Sequence, residues 1–100
     1  MSMFNKIKAR NREAIEAHLS DNFIGRSIAH DTTYDKAGVL EYEATAETER
    51  YELLFETETK LVCQGIDVTE EGRFPVMDVW THDGSKITAC DFLFGRMGEI

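Results

Sequence analysis

RFPVMDVWTHDGSKITACDFLFG, from Arg73 to Gly95, reads as two alternating strands joined by a tight Asp83-Gly84 turn. Side chains alternate across a strand, so Val76, Asp78 and Trp80 share one face and Met77, Val79 and Thr81 the other. On the return strand Thr88, Cys90, Phe92 and Phe94 share a face, opposite Ile87, Ala89, Asp91 and Leu93. One carboxyl, Asp78, thus stands among aromatic and aliphatic groups. An acid on an apolar face needs a partner or a purpose, because burying it bare is costly. A pocket lined by Asp78 is the first expectation.

Working outward, the 100 residues suit one domain, 1–100, with a single core. Hydrophobic residues make up 42% and charged residues 30%, a globular rather than a disordered balance. No apolar run is long enough to span a membrane, and the N-terminus, basic through Lys6, Lys8, Arg10 and Arg12, lacks the apolar core of a secretory signal. The basic residues solvate the first helix; binding to a membrane surface would need a longer apolar face. A cytoplasmic location follows as an expectation. The net charge of −8 argues against nucleic acid, whose phosphates need a basic surface. Much of that charge lies in Glu41, Glu43, Glu47, Glu49, Glu52, Glu56 and Glu58, read as a solvated acidic face. Cys63 and Cys90 sit far apart in strand-like segments and read as reduced, buried, structural thiols. The three histidines are scattered, so no metal site is expected.

Before the hairpin, Met3 to Leu19 is helical in pattern, with an apolar stripe of Phe4, Ile7, Ile15 and Leu19 and a bend or break at Asn11. Ser20-Asp21-Asn22 ends the helix, and Phe23-Ile24 begins a short strand. Gly25 to Tyr34 reads as irregular. Asp35 caps a helix from Lys36 to about Glu43. Tyr51, Leu53 and Phe55 alternate with Glu52, Leu54 and Glu56 as a half-buried strand, and Lys60 to Val68 forms another before a Thr69–Gly72 turn. Helices followed by an antiparallel meander make an α+β fold, with helices covering one face of a curved sheet.

The order REAIEAHLSDNFIG, YDKAGVLE and then DVWTHDGSKITACDFLFG resembles the nuclear transport factor 2-like superfamily, in its SnoaL-like, polyketide cyclase and ketosteroid isomerase-like branch. Lys86-Ile87 after a glycine turn, with an aromatic strand ending Leu93-Phe94-Gly95, carries the local match. The resemblance implies a cone-shaped barrel (cystatin-like): a strongly curved antiparallel sheet wraps around N-terminal helices and leaves a pocket at its open end. It also implies a homodimer joined through the outer sheet face, for which Met77, Val79, Ile87, Ala89 and Leu93 supply apolar groups. In ketosteroid isomerases, the reference case of a carboxylic acid kept neutral by an apolar site, such an acid donates a hydrogen bond to the developing oxyanion. The resemblance places Asp78 near that position. The tyrosine that shares the oxyanion hole would fall close to Met3, and the general base near Ile24-Gly25-Arg26-Ser27, which holds no carboxylate. Ketosteroid isomerisation itself is therefore not expected.

The candidate catalytic residues are Asp78, which a dry pocket would favour in its neutral form, and His30, a proton carrier in the segment that can reach over the cone mouth. The candidate pocket lining is Trp80, Cys90, Phe92, Phe94, Tyr51 and Phe55, with core filling as the alternative role for each. His18 packs or faces solvent, and His82, at the hairpin turn, is expected at the surface. The expected activity is a cofactor-independent isomerase, cyclase or hydratase acting on a small apolar substrate. The alternatives are a non-catalytic small-molecule-binding domain or a dimeric interaction domain whose cone is filled by its own side chains.

Overall fold

A computed structural model describes residues 3–8 and 12–95. In chain order the elements are α1 (Met3–Ile7), α2 (Arg12–His18), β1 (Leu19–Ser27), β2 (Thr32–Asp35), α3 (Lys36–Thr45), β3 (Glu47–Glu56), β4 (Lys60–Thr69), β5 (Gly72–His82) and β6 (Ile87–Phe94). The expected break at Asn11, with the cap there, lies outside the described residues, between the end of α1 and the start of α2. The strands form one sheet in the order β2-β1-β6-β5-β4-β3. This is the expected α+β cone, a curved sheet closed over by short helices. The sheet is mixed rather than wholly antiparallel, because β1 runs parallel to β6. No turn signal links two strands so far apart in the chain, so their pairing is a tertiary outcome.

The core lies between helices and sheet: Met3, Ile7, Ile15 and Leu40 meet Leu19, Phe23, Leu61, Cys63, Trp80, Ile87 and Cys90. The apolar stripe of the first helices thus finds its partner on the concave face, where burial of each large side chain contributes roughly 1.5–3 kcal/mol. Asp35 caps α3 as expected, its Oδ1 accepting the Gly38 N–H at 2.9 Å. The segment read as irregular, Gly25 to Tyr34, is ordered strand at both ends. β1 continues to Ser27, and β2 pairs back on it from Thr32. Edge strand β2 is exposed along its whole length, which removes the hydrophobic alternation that would have marked it.

Two irregularities re-aim side chains that simple alternation misplaced. Between Thr81↔Ala89 and His82↔Ile87, β6 spends two steps where β5 spends one. That extra residue rotates Ile87 from the expected outer face into the core, where it is 0% exposed. Thr88, expected to share a face with Cys90, instead donates its hydroxyl to the Thr81 carbonyl at 3.3 Å. The adjoining turn uses Gly84 at φ 92°, a backbone shape that costs glycine little. Asp83 Oδ1 accepts the Ser85 and Lys86 amides at 2.9 and 2.7 Å, and these bonds hold its carboxyl below the usual aspartate range.

His82 is a second correction. It is buried, not at the surface, and its Nδ1 accepts the Gly84 N–H at 3.0 Å, so a ring nitrogen takes part in closing the turn. His18 is half-buried; partial burial and the nearby charges of Lys6 and Lys86 lower its pKa. Neither histidine reaches the cavity described below.

Ile87→Ala is expected to cost about 2–5 kcal/mol in urea denaturation, as for other truncations in a packed core. A cost under about 0.5 kcal/mol would return Ile87 to the outer face.

Candidate functional site

Asp78 stands at the middle of β5, 3% exposed, on the face turned toward the helices. Trp80, two residues on and so on the same face, donates its indole N–H to Asp78 Oδ1 at 2.8 Å. The Tyr51 hydroxyl on β3 reaches the same carboxyl, at 2.9 Å to Oδ1 and 3.2 Å to Oδ2. Trp80 Nε1 also lies 2.8 Å from Tyr51 Oη, so three side chains close one network. Hydrogen bonds of this kind are what allow a carboxyl to sit in an apolar interior.

Tyr51 spans a whole strand to make that contact, and the local geometry explains how. The register moves from Glu49↔Ile66 to Glu52↔Gln64, which inserts one extra residue on β3. Arg50, inside the bulge, has φ 53°, an uncommon left-handed conformation for a non-glycine residue. On β4 opposite stands Gly65. A Cβ there would lie 3.0 Å from Tyr51 Cδ1 and 3.1 Å from the Glu49 carbonyl oxygen. Glycine therefore leaves the space through which the tyrosine ring crosses β4. Phe4 of α1 stacks on that ring at 5.8 Å between centroids, fixing it from the helix side.

The network forms part of the wall of a cavity of about 200 Å³. Asp78, Trp80, Cys90, Phe92, Phe94 and His30, all read from the sequence as site residues, border it. The aromatic wall is continuous: Tyr34 stacks on Phe92 at 5.9 Å, Phe92 meets Phe94 edge-on at 5.4 Å, and Phe94 meets Tyr42 at 6.0 Å. His30, exposed at the rim, holds its Nδ1 3.1 Å from the Ser27 hydroxyl.

Tyr51 and Phe55 do not border this cavity. Tyr51 belongs to the layer behind Asp78. Phe55 is 61% exposed, because a second bulge, between Leu53↔Cys63 and Phe55↔Val62, turns it to the outer face. The alternation that grouped Tyr51, Leu53 and Phe55 breaks at Leu54. Cys63 and Cys90 are both buried and not joined in a disulfide. Cys90 borders the cavity, while Cys63 lies in the core.

Sequence reasoning missed two acids. Asp67 on β4 is fully buried; it accepts the Tyr42 hydroxyl at 2.9 Å and the Thr48 hydroxyl at 2.8 Å. Its parity with Leu61 and Cys63 on β4 was a usable signal. Glu43, assigned to a solvated acidic face, is buried and turned to the cavity. It follows Val39 by four residues along α3, the helical spacing that puts both on one side. Among the described residues, no three histidine, cysteine or carboxylate side chains converge as a metal site would need, and no described helix is long and apolar enough to cross a membrane.

No protein-family model matches the sequence, and neither does any curated protein. Solved structures do match. An NTF2-like protein of unknown function from Cytophaga hutchinsonii superposes with a TM-score of 0.71 at 11% identity, covering 91% of this chain and 81% of that one. A candidate ketosteroid isomerase from Kribbella flavida gives 0.73 at 11% identity, covering 97% and 75%. The chain has the nuclear transport factor 2-like fold. A candidate isomerase from Rhodopseudomonas palustris shares this NTF2-like fold, with a TM-score of 0.66 at 11% identity over 94% and 90% of the two chains. At such identities the likeness concerns the backbone, and function within the NTF2-like fold must be argued from the side chains of the cone.

Tyr51→Phe removes a donor from a buried carboxyl and is expected to cost about 1–3 kcal/mol in urea denaturation, whereas Phe55→Ala should change stability by less than about 0.5 kcal/mol.

Proposed function

We propose that the cone takes up a small, largely apolar molecule and that Asp78 acts on it, as in a cofactor-independent isomerase, cyclase or hydratase of the SnoaL-like kind. The observation that carries this reading is a buried carboxyl that borders a partly open aromatic cavity and accepts hydrogen bonds from Tyr51 and Trp80. Oδ1 takes the two shorter bonds, while Oδ2 has the longer contact of 3.2 Å. In the neutral acid, Oδ1 serves as the carbonyl oxygen and Oδ2 carries the proton. That proton can be donated to a ligand oxygen as negative charge develops there. Tyr51 and Trp80 then act as positioning residues, setting the orientation of the carboxyl. His30, exposed at the rim, exchanges protons with water.

The place where the resemblance put a catalytic tyrosine, near Met3, is core, since Met3 is buried. A phenol does reach Asp78, but from β3, where Tyr51 donates its hydroxyl. This difference supports general acid chemistry on a substrate other than a ketosteroid. The non-catalytic reading also has an observation in its favour: Tyr51 and Trp80 satisfy Asp78 in the way they would satisfy a purely structural carboxyl.

The test is a turnover screen over cyclic ketones, enones and epoxides. On any compound the protein converts, Asp78→Asn is expected to lower kcat/KM by at least about 100-fold, the usual scale for loss of a general acid. Unchanged turnover would leave only the binding function.

The outer sheet face fits a homodimer interface. Met77 and Leu93 sit opposite each other on β5 and β6, exposed to 45% and 46%. Sedimentation velocity is expected to show a dimer that Met77→Glu converts to monomer; a wild-type monomer at all concentrations would rule this face out.

A further inference from the structure

The cavity that Asp78 borders is small, about 200 Å³. Benzene fits a cavity of roughly 150 Å³, and pockets for drug-sized ligands begin near about 300 Å³. One ring with a short substituent therefore fills it. Next to it lies an open groove of about 930 Å³, at the end of the sheet where β1, β4 and β6 finish and β5 begins. This end is the mouth of the cone.

Cavity and groove share three bordering residues, His30, Tyr42 and Phe94. Phe94 and Tyr42 meet edge-on at 6.0 Å, which brings the end of β6 against α3 there. Two neighbouring strands carry apolar groups from one space to the other. On β5, Asp78 and Val76 border the cavity, and Phe74, on the same face by parity, borders the groove. On β6, Phe92 borders the cavity and Phe94 borders both. Asp78 and Phe74 are four residues apart, roughly 13 Å at the usual rise. Just past Phe94, the Gly95 N–H donates to the Pro75 carbonyl at 2.7 Å, and a Cβ on Gly95 would run into the Pro75 ring. This close approach of β6 to β5 holds Phe94 at the boundary of the two spaces.

Resting on the reading that the cone takes up a small molecule, we infer that this ligand is longer than the cavity: a single ring inside, bearing an unbranched apolar chain that passes His30, Tyr42 and Phe94 and lies in the groove against Phe74. The three shared side chains separate the spaces, and an unbranched chain is the slimmest apolar connection between them. Ala29 and Ala44, which border the groove, leave room along it. A ring bound alone would leave the half-buried faces of Phe74 and Phe94 to water; the chain covers them.

The probes are cyclohexanone and its 4-alkyl derivatives from methyl to pentyl, the last long enough to extend from the cavity into the groove. Trp80, the single tryptophan, borders the cavity, so its fluorescence reports the ring, with calorimetry as the second readout. Kd is expected to fall by roughly two- to fourfold for each methylene taken out of water, through to the pentyl compound. Ala44→Phe, which fills the groove, is expected to cut the preference for the pentyl compound over cyclohexanone at least about fivefold. If circular dichroism shows that this variant does not fold, Ala29→Phe is expected to do the same. A Kd that stops falling after the methyl or ethyl compound would place the whole ligand inside the cavity, overturning the chain and leaving the small-molecule reading intact. A pentyl preference that folded Ala44→Phe and Ala29→Phe both retain would overturn the groove as the seat of the chain. If no member of the series altered Trp80 emission or gave heat, both this inference and the small-molecule reading would fail.

Discussion

The Asp78 carboxyl, buried on the concave face of β5, imposes a condition that much of the architecture meets. A carboxyl with so little access to water must be hydrogen-bonded from inside the protein. Trp80 donates from the same strand, and Tyr51 donates from across β4. That crossing requires the extra residue at Arg50, the absence of a side chain at Gly65 and a ring partner in Phe4. Bulge, glycine and helix docking are thus linked through one polar contact. A change at any of them reaches Asp78 without touching it.

The same arrangement keeps the cone from filling itself. Tyr51 is drawn behind Asp78, and Phe55 is turned outward, so two large side chains from β3 stay out of the cavity. The aromatic residues that remain pack against one another along the wall, Tyr34 on Phe92, Phe92 on Phe94 and Phe94 on Tyr42. Space is left where a small domain would otherwise place core. A small domain gives up core packing to keep such a space, which is why a partly open cavity bordered by polar groups is the place to look for function.

The site draws on distant parts of the chain. Asp78 and Trp80 come from β5, Phe92 and Phe94 from β6, Asp67 from β4, Glu43 from α3, and His30 from the turn between β1 and β2. A backbone likeness at 11% identity to a candidate isomerase and to proteins of unknown function fits this picture. The fold supplies a cone, and a function for it must be argued from the residues within.

The sequence by itself determined the α+β class, the β5–β6 hairpin with its Asp-Gly turn, the Asp35 cap, and the inward face carrying Asp78, Trp80, Cys90, Phe92 and Phe94. Each rests on a local rule: period-two alternation, turn chemistry or capping. Only the tertiary structure decided the parallel β1–β6 pairing, the inward turn of Ile87, the outward turn of Phe55, the burial of His82, and the presence of Glu43 and Asp67 in the cavity wall. These depend on bulges and on contacts between residues far apart in the chain. A bulge shifts the parity of everything beyond it by one residue, and no local pattern marks where it falls. Glu43 shows the remaining limit: within a run of glutamates its side chain looks like solvated surface, and only the closing of α3 over the sheet turns it inward.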